Sequence, residues 1–232
     1  MTLNIAGISI DVCRKGIKNM HLYVKPPKGT VTVSAPLSMS DATIDRFVRT
    51  RISWIKKQIA KFDNQLRQSE REYVSGETLY VWGRQYYLQT KFGNKNSLVL
   101  SGDKAILTVR KESSPAQREN FVREWYRILL KKEISKQLPK WEKTTGLKAS
   151  GWQTKYMTTR WGTCNTATGK IWLNLQLAKK TPESLDYIIL HELVHLIEKT
   201  HNERFSSMMD QYMPMWREVK ATLNGQTLDY ME

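Results

Sequence analysis

Residues His191-Glu192-Leu193-Val194-His195 spell H-E-x-x-H, and His201 follows the first of them by ten positions. On a helix, His191 and His195 stand one turn apart on the same face, where both imidazoles reach a single metal ion. Glu192 lies about 100 degrees further round, beside that face, so its carboxylate can touch a water on the metal without binding the metal. Zinc suits such a donor set, because it accepts imidazole in tetrahedral geometry with one position open for water. It lowers the pKa of that water toward 7, and the carboxylate can take the proton as the oxygen attacks an amide carbonyl and later pass it to the leaving nitrogen. On an unbroken helix His201 would sit about 15 Å along the axis from His191. Its participation therefore requires the chain to leave the helix near Glu198 to Thr200 and turn back. Glu203 or Glu218 is the rival third ligand, as in sites built from two histidines and a glutamate, and spacing leaves the choice open.

The segment carrying these residues, SLDYIILHELVHLIEK, is apolar around most of its circumference and reads as a buried helix. Polar groups inside it need partners. Thr181-Pro182-Glu183 supplies its start, with a cap, a proline at the first helical position and an acid beside the positive end of the dipole. Asn202-Glu203 opens a further helix, ERFSSMMDQY. Upstream, Trp152 to Thr158 and Ile171 to Leu175 read as strands joined through a turn at Thr166 to Gly169.

Residues 1–145 alternate strands and helices. LNIAGISIDV, MHLYVKP and TVTVSAP predict an antiparallel meander. A helix follows from Asp41 to about Gln68, capped by Ser40, with Ile44, Phe47, Val48, Ile52 and Ile55 at helical spacing. Strands return between Glu77 and Arg110, with turns at Gly93-Asn94 and Gly102-Asp103, and a second long helix starts near Pro115. Pro139 should kink or end it. No repeat with a period of roughly 20 to 50 residues is visible. The expected fold class is α+β: a basic N-terminal region over 1–145, built of antiparallel strands and two long helices, then a region over 146–232 with the active-site helix. The seam is expected at Gly146 to Gly151.

Hydrophobic residues make up 40% of the 232 and charged residues 25%, a balance that excludes disordered and collagen-like chains. No apolar run approaches the roughly 20 residues needed to cross a bilayer, and the N-terminus has no export-signal pattern. Two cysteines, Cys13 and Cys164, rule out a disulfide framework and point to a reducing, cytoplasmic setting. The formal charge is +15. Residues 1–145 hold 27 basic and 13 acidic side chains, against 10 and 9 in 146–232. Excess charge of that size steers a protein toward polyanions, whereas Arg123, Arg127, Lys131, Lys132 and Lys136 on the second long helix are also what a solvated face looks like.

Between Arg160 and Leu223 the chain resembles the YgjP-like metallopeptidases, metal-dependent hydrolases related distantly to SprT-like proteases. The resemblance rests on RWGTC at Arg160 to Cys164, LNLQL at Leu173 to Leu177, PESLDYIILHELVHL, the H-N-E-R-F run from His201 to Phe205, and YMPMW at Tyr212 to Trp216. It implies a zincin-like fold, with His191, His195 and His201 as zinc ligands and Glu192 as catalytic base. One departure stands out: zincins with this spacing often have glycine where Glu198 stands, so the turn back to His201 must be made another way, expected at Lys199-Thr200.

Arg160, Trp161 and Cys164 precede the strand that lies beside the substrate cleft in zincins, where an extended peptide can add as another strand. Arg160 can orient a carboxylate or steady an oxyanion, or form a structural ion pair. Cys164 fits a small packed residue better than a metal inhibitor. Tyr212, Met213, Met215 and Trp216 are expected to pack beneath the site, and His21 to be an ordinary strand residue. The principal expectation is a zinc-dependent peptidase acting on peptide or protein substrates. The competing one is a nucleic-acid-binding protein with a structural or inert metal site, and the two combine as a peptidase recruited to nucleic-acid-bound proteins.

Overall fold

A computed structural model describes residues 2–25, 29–63 and 71–225. It is α+β, and its contacts form two compact units, one over Met1–Ser69 and one over Glu70–Asp229.

The first unit opens with β1 (Thr2–Ile5), β2 (Ile8–Lys15), β3 (His21–Lys25) and β4 (Thr30–Pro36), in the spatial order β1-β2-β4-β3. The sheet is mixed rather than an antiparallel meander. β1–β2 and β3–β4 are antiparallel, but β4 returns beside β2 in parallel. That register sets Ile10 opposite Val31 and Val12 opposite Val33, so both strands turn their apolar alternation to one face. Ile44, Val48 and Ile55 close the core from α1 (Asp41–Arg49) and α2 (Ile52–Asp63). The single helix expected here is interrupted at Thr50-Arg51, where the Thr50 hydroxyl donates to the Phe47 carbonyl at 2.9 Å, a local alternative to the helical ladder. Its expected end near Gln68 lies outside the described residues. His21 is exposed on β3 and stacks on Tyr23.

The second unit begins with the same topology. β5 (Thr78–Val81), β6 (Arg84–Phe92), β7 (Ser97–Ser101) and β8 (Lys104–Val109) lie in the order β5-β6-β8-β7, again with a parallel central pair. Thr2-Leu3-x-Ile5-x-Gly7 recurs as Thr78-Leu79-x-Val81-x-Gly83. Both hairpin tips take two left-handed residues, Ala6-Gly7 and Trp82-Gly83, as a tight type I′ turn requires. Each sheet leads to a serine-capped helix containing Phe-Val-Arg, at 47–49 and at 121–123. The chain therefore carries a structural repeat of about 75 residues, longer than the periods expected of repeat arrays.

α3 (Pro115–Thr145) starts on a capping box formed by Ser114 and Gln117 and ends at a left-handed Gly146. It continues past Pro139, so the proline does not end it. Val122, Tyr126, Leu130, Ile134, Leu138 and Trp141 form one buried stripe on both sides of the proline, so a shared core holds the two halves together despite the lost hydrogen bond.

β9 (Gly151–Lys155), β10 (Gly162–Asn165) and β11 (Lys170–Asn174) form a three-stranded sheet in the order β10-β11-β9, which leaves β10 at an edge. Leu175–Lys179 is a short 3-10 helix, followed by α4 (Pro182–Val194), α5 (Glu203–Tyr212) and α6 (Trp216–Gly225). One core runs from Tyr73 through α3 and α4 to Leu223. The change of charge and motif expected at Gly146 thus falls inside the second unit, at the cap of α3. Trp82 and Gly83 donate their backbone N–H groups to the Ala178 and Lys179 carbonyls at 3.0 and 3.2 Å, satisfying the end of the 3-10 helix.

Candidate metal centre

α4 is apolar almost throughout, and Leu185, Ile189, Leu190, Leu193 and Val194 are fully buried. Packing on that scale fixes its rotation, so the side on which His191 and His195 emerge is determined by the core. His195 is the C-cap of α4, and the chain leaves the helix there, one turn earlier than expected. It re-enters helical structure at Glu203, the start expected from Asn202-Glu203.

The intervening turn brings His201 back. His195 Nε2 and His201 Nε2 each lie 3.1 Å from His191 Nε2. Four nitrogens placed about 2.0–2.1 Å from a tetrahedral zinc would stand a little over 3 Å apart, so the spacing fits a single ion among the three rings. His195 Nδ1 lies 2.8 Å from the Glu198 carbonyl oxygen. A carbonyl only accepts, so Nδ1 carries the proton and Nε2 turns a lone pair toward the other two rings. Burial, helped by His195, His201 and Lys220, pushes His191 down to about 3, which keeps its imidazole neutral and its lone pair free for a metal. Phe205, buried, forms the floor: its ring lies 5.0, 5.0 and 4.8 Å from the rings of His191, His195 and His201. His201 is exposed and marks the open side. Among the described residues these three histidines are the one group of metal-binding side chains that converges. Glu203 and Glu218, the rival third ligands, are exposed and not part of it.

Bends follow at Lys199 and Thr200, where the turn was expected, and Glu198, at the position where glycine was noted as usual, braces them. Its Oε2 accepts from Asn202 Nδ2 at 3.0 Å and its Oε1 pairs with Arg204 at 2.8 Å. Asn202 works with both ends, since its Oδ1 caps α5 by accepting from the Phe205 N–H at 2.8 Å. The side chain of Glu198 thus ties down the loop carrying His201 while its carbonyl orients His195. Glu198→Ala keeps the carbonyl that orients His195 but frees the loop carrying His201, and should therefore weaken metal binding by about 10-fold, with Glu198→Gln retaining most of the affinity through Asn202. Competition titration against a zinc chelator checks this; unchanged affinity in the alanine variant contradicts it.

Glu192 is 3% exposed. Its Oε2 is buried and has no hydrogen-bond partner among the described residues. Burial pushes this carboxyl up to about 8, opposed in part by the positive charge of Arg160. Arg160 is exposed and acts at a distance, without an ion pair among the described residues. Burial, and then Glu192, push the Cys164 thiol up to about 11. Cys164 packs against the main core, as a small apolar residue would.

Tyr187 stacks parallel to Trp216, and its hydroxyl lies 3.5 Å from His191 Nδ1. Tyr212, Met213 and Trp216 join the core as expected, with the Trp216 indole N–H donating to Asp210 at 2.7 Å, but Met215 is exposed. One residue escaped the sequence reading. Asn174, fully buried at the end of β11, donates through Nδ2 to the Met157 and Arg160 carbonyls at 2.8 and 2.6 Å. It thereby pins the loop leading into β10. An asparagine between two leucines at a strand end was the available signal.

The sequence model of a family described as YgjP-like, metallopeptidase domain, matches residues 18–226. Two solved structures are similar over part of the chain. The metallopeptidase zymogen abylysin of Pyrococcus abyssi is 18% identical, with a TM-score of 0.37, over 40% of this chain and 92% of that one. The metallopeptidase zymogen jannalysin of Methanocaldococcus jannaschii is 22% identical, with a TM-score of 0.36, over 40% and 94%. No curated protein matches the chain.

Proposed function

The chain belongs to the YgjP-like metallopeptidase family, and on that premise we propose that it is a zinc-dependent peptidase in which His191, His195 and His201 hold the ion and Glu192 is the general base. The observation that carries this reading is the meeting of three imidazole Nε2 atoms beside a buried carboxylate whose Oε2 has no hydrogen-bond partner among the described residues. Zinc held there supplies Lewis acidity toward the scissile carbonyl and toward water. Glu192 takes the proton from the attacking water at its free oxygen and delivers it to the leaving amide nitrogen. Burial raises the proton affinity of this carboxyl, which suits a group that must hold a proton between the water and the leaving nitrogen. β10, an edge strand, offers its open backbone groups to an extended peptide. No described helix is long and apolar enough to cross a membrane, and a cytoplasmic setting is proposed from the two free thiols.

Nucleic-acid binding rests on net charge alone. Of the five α3 cations weighed as either a solvated or a polyanion-binding face, Arg123, Arg127 and Lys136 are paired with Glu119, Glu124 and Glu133.

The test is a screen of quenched peptides with the protein as purified, stripped of metal, and restored with zinc. Cleavage that disappears on stripping and returns with zinc is expected. Cleavage indifferent to stripping contradicts the reading.

A further inference from the structure

We propose that Gly162 is a positioning residue for Glu192: the absent side chain at the head of β10 leaves the space in which the carboxylate lies. This rests on Glu192 being the base. A Cβ at Gly162 would stand 2.5 Å from Glu192 Oε1 and 2.9 Å from its Cδ and Cγ, far inside the roughly 3.5–4.0 Å of an ordinary carbon contact. Conformation does not call for glycine here. Gly83, Gly146 and Gly169 occupy the left-handed region, and Gly162 does not. The requirement is for room, and the group that needs the room is Glu192.

Neither backbone can give way. Around Glu192, α4 is anchored by Leu190, Leu193 and Val194, all fully buried. Gly162 is laddered to Leu173, itself fully buried, within the β10–β11 pair. The residues just before it are tied to Asn174, whose backbone N–H donates to the Trp161 carbonyl at 2.8 Å and whose Nδ2 donates to the Arg160 carbonyl at 2.6 Å. With helix and strand both fixed, a methyl group at 162 must be absorbed by rotation of the Glu192 side chain. The backbone of β10 is therefore the wall that sets where the base stands. A displacement of about 1 Å at a reacting group costs on the order of 100-fold in rate.

A double-mutant cycle tests this with the full-length chain: wild type, Gly162→Ala, Glu192→Asp, and the two combined. Two readouts are taken, kcat and KM of the zinc-loaded proteins on a peptide the wild type cleaves, and the melting temperature of the metal-free proteins. Gly162→Ala is expected to keep its zinc and lose about 100-fold in kcat, with KM within about threefold. Aspartate is one methylene shorter and withdraws from β10. Adding Gly162→Ala to Glu192→Asp should therefore cost less than about threefold further, and the melting temperature lost in the single alanine variant should return in the pair. If Gly162→Ala does not hold its fold, recovery of a cooperative melt in the double variant supports the proposal, and failure in both backgrounds overturns it. Two further results overturn it: kcat in Gly162→Ala within about threefold of wild type, or the same proportional loss in both backgrounds. Failure of the underlying mechanism registers separately, as wild-type kcat in Glu192→Asp alone.

Discussion

Glu192→Gln should leave zinc bound and lower kcat by about 10²- to 10⁴-fold, the contribution of a positioned general base. The amide matches the carboxyl in size and shape, so it fits the space against Gly162 and preserves the packing of α4. It cannot accept and return a proton at neutral pH. KM should barely move, because the interaction lost develops only as the water is deprotonated. The three imidazoles do not use Glu192 to hold their positions: His195 is oriented by the Glu198 carbonyl, and all three rings rest on Phe205. Steady-state kinetics with zinc content measured on the same sample checks both halves. A variant retaining activity within about tenfold of wild type would remove Glu192 from the role of base.

Phe205→Ala should be the most damaging change outside the histidines and Glu192. The ring is 1% exposed and touches all three imidazoles. Truncating a buried phenylalanine costs about 3–5 kcal/mol in lost burial and cavity formation. For a chain of this size that corresponds to a drop of about 6 to 20 °C in Tm. Without their floor the rings gain freedom to tilt, so zinc affinity should also fall, by about 10-fold or more. Phe205→Leu, which refills much of the volume, should recover most of both losses. Calorimetry and zinc competition on the two variants separate the effects. Undiminished affinity in Phe205→Ala would show that the loop through Glu198 and Asn202 holds the site unaided.

The candidate site was legible because its geometry is local. Two histidines four apart share a helix face whatever the rest of the fold does, and Asn202-Glu203 announced the helix that returns His201. What was not legible depends on groups distant in sequence. Nothing near Glu198 revealed that its carboxylate would meet Asn202 and Arg204, because those contacts exist only after the turn has formed. Gly162 read as one member of RWGTC, and its reason for being glycine lies thirty positions away at Glu192. Pro139 does not end α3 because, although local backbone chemistry argues for an end or a kink there, the stripe from Val122 to Trp141 outweighs one missing hydrogen bond. The parallel pairs β2–β4 and β6–β8 were hidden for a similar reason: strand pattern reports which residues face the core and says nothing of which neighbour a strand pairs with. The duplication of those sheets survives mainly as apolar position and turn geometry, with few identical residues beyond the Thr-Leu and Phe-Val-Arg matches.

The central claim is that three imidazoles hold one divalent ion, and X-ray absorption at the zinc edge of the stoichiometrically loaded protein measures it directly. Three imidazole nitrogens at about 2.0–2.1 Å are predicted, falling to two in His201→Ala. Two or fewer imidazoles in the wild type, or a sulfur shell near 2.3 Å bringing Cys164 onto the metal, would contradict it.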